Sequence, residues 1–179
     1  MKWSTTVGFG RWLFLAYLCA QLAPGIRASA RPDYYAEDAN RLASVGAMSK
    51  ANFARLDHID TIIEQRQFIA NKDLDWCIKL LETDPPANTQ EAREELTTTV
   101  VFRLLLLHKY TKAQTLQMNK AATWLAHTHL WGNKLWAVNI FGHTRDTAAL
   151  PIVEGFVTDP NPILAARAKL FVDRAKAVK

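Results

Sequence analysis

Of 179 residues, only two are cysteine, seven are glycine and seven are proline. Two cysteines cannot form the framework of a disulfide-stapled miniprotein. So little glycine and proline excludes collagen-like and low-complexity chains. Alternation of apolar and polar residues with period two is nearly absent, and no Asn-Gly or Asp-Gly pair separates β-branched runs, so strands have little to support them. Acidic residues are missing from two stretches: the first thirty residues hold Lys2, Arg11 and Arg27 without one Asp or Glu, and the fifty positions from Leu96 to Arg145 hold none. What is present is 49% apolar residues against 22% charged, too much apolar material for a disordered chain and enough for one globular domain.

The N-terminus reads as a secretory signal in three parts. Met1 to Trp12 is positively charged, Leu13 to Ala23 is a short apolar run, and Ala28-Ser29-Ala30 supplies the small residues that a signal peptidase reads after the helix-breaking Pro24-Gly25. The apolar run has 11 residues, where a membrane span needs roughly 20. Cleavage after Ala30 is the expectation, with contact to the membrane only if this segment stays attached. The mature chain then begins at Arg31 and carries 19 basic residues against 17 acidic ones, since Lys2, Arg11 and Arg27 leave with the signal. Cys19 leaves as well, so Cys77 becomes the only thiol and reads as a small buried hydrophobe within an apolar helical stretch. No Asn-x-Ser/Thr acceptor occurs. An exported protein of the bacterial periplasm is the compartment expected, with extracellular release or an N-terminal anchor as alternatives.

Helical periodicity recurs along the mature chain. Phe53, Leu56, Ile59 and Ile63 predict an amphipathic helix over about 49 to 70, with Ile62 and Ile69 widening its stripe. A shorter helix over about 74 to 83 stops before Pro85-Pro86. Asn88, followed three residues later by Glu91, reads as the start of a long helix to about 110. Four more follow at about 113 to 129, 133 to 144, 147 to 158 and 162 to 178. Their connections are short, which forces neighbours to pack antiparallel. Asn161 is placed to cap the last one, with Pro162 in its first turn.

The stretch from Gly142 has a pattern of its own. It runs through Asp146, Ala149-Leu150-Pro151, an apolar seam at Val153 and Val157, Asp159, Asn161-Pro162 and Leu164 to a small residue, Ala168. This resembles one unit of the HEAT-repeat superfamily, in particular the phycobilisome-lyase type, clearly over about residues 137 to 178. Asp146 and Asp159 can brace turns, Ala168 lets two helix axes approach, and Pro151 about one turn into its helix would deprive the Thr147 carbonyl of a donor and bend the axis. Ala137 lies 31 residues before Ala168 and marks a degenerate earlier copy whose seam includes Leu135, Ile140 and Phe141. Family units often carry an Arg directly after the apolar residue that opens the second helix. Here Ala165 follows Leu164, so no arginine ladder is expected. The resemblance implies an all-α fold, a short right-handed α-solenoid of antiparallel helix pairs over 73 to 179 with a helical N-terminal cap over 31 to 72. An irregular helical bundle is the alternative.

Catalytic patterns are missing: there is no Gly-x-Ser-x-Gly, no Cys-x-x-Cys, no phosphate loop and no His-Glu-x-x-His. No cofactor is called for. The carboxylate pairs Asp57 with Asp60 and Asp73 with Asp75 read as solvated or capping groups. His127 and His129 stand two apart, about 200° around one helix, so together with His143 they could meet a metal only across a turn. The acid-free stretch is the strongest functional feature, with a local formal charge of +6 from Arg103, Lys109, Lys112, Lys120, Lys134 and Arg145, four of the five histidines (His108, His127, His129, His143) and Trp124, Trp131 and Trp136. Trp131, Lys134, Trp136, Arg145 and His129 are the candidate partner-binding residues. The expected role is a non-enzymatic scaffold or adaptor for another exported or membrane protein, one offering an acidic segment; export argues against nucleic acid. The alternative is a His-rich metal-binding or enzymatic accessory protein.

Overall fold

The apolar rhythm of the chain is realised as helix throughout. A computed structural model describes residues 40–107 and 109–177, and among the described residues there is no strand. The expected signal segment, 1–30, lies outside them. A helical turn ending at residue 44 is followed by α1 (Lys50–Glu64), α2 (Asn71–Glu82), α3 (Gln90–Leu106), α4 (Lys112–Ala126) and α5 (Trp131–Thr144). A 3₁₀ turn (Thr147–Ala149) then runs into the short α6 (Leu150–Glu154), and α7 (Pro162–Ala177) closes the described chain. All of this belongs to the unit Ala36–Lys179, and the boundary expected at residue 72 falls inside α2.

The helix ends are set by local chemistry, and several differ from the sequence reading. α1 stops at Glu64, well before residue 70, because the chain turns through Arg66 at φ 52°. Ile69 still reaches the core, 2% exposed, but from the connection. Thr89, not Asn88, caps α3: its hydroxyl accepts from the Ala92 N–H at 3.1 Å, while Asn88 is in the left-handed region at φ 48°. α4 opens with a capping box in which Thr111 and Gln114 satisfy each other's backbone N–H groups at 3.2 and 2.9 Å. α5 continues through Gly142 to Thr144, and the left-handed terminating position is taken by Arg145 at φ 57°, where glycine is the residue that carries no steric cost.

The helix expected over 147 to 158 is the 3₁₀ turn plus five residues of α6. Pro151 stands in the first turn of α6, where its missing N–H is not needed, and Thr147 keeps a donor in the Leu150 N–H. No bend is required. Asn161 does cap α7, accepting from the Ile163 and Leu164 N–H groups at 3.0 and 3.3 Å.

In packing, α3 lies against α1, α2 and α5, while α5 lies against α3, α4 and α7. α4 also contacts α2, and α6 covers α7. The core between them is built from Leu56, Ile59, Leu74, Leu81, Val100, Leu104, Leu125, Ile140, Phe141 and Leu164, all buried; each such side chain contributes roughly 1.5–3 kcal/mol on leaving water. Ala137 and Ala168, the small residues 31 apart, are fully buried. Before α1, Gly46 at φ 64° accepts from the Ala87 N–H at 3.0 Å, and a Cβ there would stand 2.6 Å from the Ala87 Cβ, so only glycine fits.

Each contact in the series α1, α3, α5, α7 also carries one polar bond. Between α1 and α3, Arg103 grips Asp60 bidentately at 2.8 and 3.0 Å. Between α3 and α5, Trp136 Nε1 donates to Thr98 Oγ1 at 3.2 Å. Between α5 and α7, Arg167 Nε donates to Asn139 Oδ1 at 2.6 Å.

Candidate functional site

α5 has little polar patterning, and the reason is its position: its buried residues Asn133, Leu135, Ala137, Val138, Asn139, Ile140 and Phe141 point in all directions around the axis. The five predicted site residues on or beside it are therefore dispersed. Trp131, its first residue, is 45% exposed. Lys134, one turn on, holds its Nζ 5.7 Å from the centre of the Phe156 ring beyond α6. Trp136 is on another side and braces α3 through Thr98. Arg145 is exposed at the opposite end, 14 residues from Trp131, or about 21 Å along a helix at 1.5 Å per residue. His129 is exposed in the connection between α4 and α5. The structure thus brings together Trp131 and Lys134, with His129 just before them, and separates Trp136 and Arg145.

The histidines are likewise divided. His127 closes α4 and its Nδ1 donates to the Thr123 carbonyl at 2.7 Å, while His143 lies in the last turn of α5, edge-on to Tyr110 at 5.9 Å. Tyr110 precedes α4 and His127 follows it, so the length of a helix separates them. The turn that joins His127 to His129 does not bring His143 to them. Among the described residues no group of three His, Cys, Asp or Glu side chains could hold a metal ion; His108 lies outside them.

The sequence reading did not gather a second cationic surface. Lys112, Leu116, Lys120 and Trp124 follow at intervals of four along α4, and all four are exposed, with Ala113 and His127 beside them. The i, i+4 spacing was the available signal. Neither lysine enters an ion pair with a described residue; the acid at its flank is Asp75 of α2, exposed and accepting from Gln117 Nε2 at 2.7 Å. At its start, Lys109 stands 5.4 Å from the ring centre of Phe68, which is 58% exposed. Gln114 holds the Phe68 segment to α4 by donating to the Ile69 carbonyl at 2.7 Å.

Also missed was a buried polar centre where α1, α2 and α3 meet. Asp60 and Arg103 are 4% exposed and paired, and Arg103 Nη1 further donates to the Thr99 carbonyl at 3.2 Å. Asp73, 3% exposed in the first turn of α2, accepts from Arg55 at 3.3 Å and has His58 Nε2 at 3.6 Å from its other oxygen. Burial, then the Asp73 carboxylate, push the Cys77 thiol up to about 12. Burial and the neighbouring Cys77 also push up the Tyr110 phenol, whose hydroxyl donates to the Leu104 carbonyl. A thiol so disposed stays protonated and enclosed, and is a poor nucleophile. Two charged residues on core-facing positions, Asp60 beside Ile59 and Arg103 between Val100 and Leu107, were the signal in the sequence. In comparisons with known proteins, the chain matches no family model, no curated protein and no solved structure.

Proposed function

We propose that the chain is an exported, non-enzymatic scaffold or adaptor built as a short HEAT-like α-solenoid, and that it receives an acidic segment of another exported or membrane protein at Trp131 and Lys134. The observation that carries this reading is the alternation of contacts: α1, α3, α5 and α7 follow one another as neighbours, α2 and α4 pack beside each other on α3 and α5, and α6 pairs with α7. Helix pairs stacked in succession make an extended surface suited to partner proteins. One polar bond at each step, Asp60 with Arg103, Thr98 with Trp136 and Asn139 with Arg167, fits the same reading.

Trp131 is the anchor in this reading because tryptophan is among the few residue types that carry most of the binding energy in protein interfaces; Lys134 beside it supplies the charge for an acidic segment. Trp136 and Arg145 are assigned other work, bracing α3 and ending α5. The test is site-specific photocrosslinking from Trp131 and, separately, from Trp136 in intact cells. A discrete adduct with an exported or membrane protein from position 131, absent from 136 and lost in Lys134→Glu, is the expected outcome. Equal labelling from both positions, or no adduct from 131, would reject the site.

A further inference from the structure

We infer that the outward face of α4 docks on the surface of an anionic bilayer. This surface is separate from the partner site on α5, and the inference does not depend on it. The face presents Lys112, Leu116, Lys120 and Trp124 on one ridge, with Leu116 57% and Trp124 38% exposed, and the exposed Phe68 with Lys109 at its N-terminal end. Against its lysines stands one flanking acid, Asp75, whose carboxylate is engaged by Gln117 Nε2 at 2.7 Å. The ridge runs over 13 residues of one helix, Lys112 to Trp124, a rise of about 18 Å at 1.5 Å per residue, and α4 packs through its other sides on α2 and α5. It can therefore lie flat against a plane.

The choice of side chains favours lipid over protein. Every cation here is lysine: Lys109, Lys112 and Lys120. Protein interfaces are depleted in lysine and enriched in arginine, whose planar fork makes directed bonds. Lysine, a flexible hydrated charge on a long apolar stem, suits diffuse attraction to headgroups while its stem lies along the apolar side chains. Trp124 at the end of the ridge and Phe68 beside Lys109 stand singly, which suits the interfacial zone, whereas a protein partner needs a contiguous complementary surface of about 1,000 Å². No described helix is long and apolar enough to cross a membrane, so attachment by the described part of the chain would be peripheral.

The experiment uses the full chain with Cys19→Ser and Leu116→Cys, labelled with a polarity-sensitive dye; the enclosed Cys77 stays unlabelled. A second chain carries the label at Leu170→Cys on α7, which is exposed but off this face. Both are added to vesicles of equal parts phosphatidylglycerol and phosphatidylcholine, and to vesicles of phosphatidylcholine alone. The dye at 116 is expected to shift to the blue on the anionic vesicles only, and the dye at 170 on neither. Because the readout is local, binding through residues 1–30 does not produce it. Lys112→Glu with Lys120→Glu should weaken the response by about tenfold or more, as each lysine near such a surface contributes about a fivefold factor. No shift at 116, or equal shifts at 116 and 170, overturns the proposal. A shift at 116 with delipidated envelope proteins and none with vesicles also overturns it and assigns the face to an acidic protein.

Discussion

Arg103 stands where an apolar residue belongs. Leu96, Val100 and Arg103 succeed one another by four and three positions along α3, with the buried Leu107 just past its end, so the guanidinium enters the core and must find its counter-charge there. It finds Asp60, 43 residues away in sequence. Removing one member of a buried pair leaves the other in a medium that cannot solvate it, at a cost of about 3–5 kcal/mol. Arg103→Met is therefore expected to lower unfolding stability by that amount in chemical denaturation, and Asp60→Leu combined with it should recover most of the loss. Cys77 makes a different prediction. Its folded value is raised to about 12, above the ordinary thiol range near 8.5, so the unfolded chain loses its proton first as pH rises. Its contribution is complete below about pH 8.5 and is lost towards pH 12, at up to about 1.4 kcal/mol per pH unit. The half-buried Tyr110 phenol acts in the same direction at its own, higher range. Urea midpoints measured across this window should fall with pH, and Cys77→Ala should flatten the slope whatever it costs at neutral pH.

At the scale of the elements, what the sequence disclosed was mostly periodicity, and what it concealed was mostly termination. The helices α3, α4, α5 and α7 lie within about four residues of where the sequence places them. The ends moved because a few side chains decide them. Arg93 is an example: it bonds the Leu81 and Thr83 carbonyls at 3.1 and 2.6 Å, and also pairs with Asp84, so a residue of α3 closes α2. No local pattern encodes a partner on the next helix. Gln114 acts in the same way across a longer gap, completing the capping box of α4 while its amide donates to the Ile69 carbonyl and to Asn71 Oδ1, at 2.7 and 2.9 Å. Gln114→Ala should thus cost about 1–3 kcal/mol, the range for buried groups deprived of a partner, and should speed amide exchange both at residues 111–114 and at 67–71. Exchange confined to the first turn of α4 would show that the link to the α1–α2 connection is idle.

For the molecule as a whole, the all-helical class was readable because helical spacing recurs seven times while strand signals are thin. The candidate site was less readable. Proximity in sequence placed Trp131, Lys134, Trp136 and Arg145 together, but α5 is enclosed on most sides, and its rotation of 100° per residue distributes those residues among its neighbours. The α4 ridge was legible in spacing alone and became a surface only once α2 and α5 were known to cover its other sides. The three polar bonds along α1, α3, α5 and α7 are of three kinds: an ion pair, an indole with a hydroxyl, and a guanidinium with an amide. No junction offers the groups that another needs. A helix that docked on the wrong neighbour while the chain folds would leave its polar group without a partner in an apolar interface, so the three bonds act as a key that admits one order of helices.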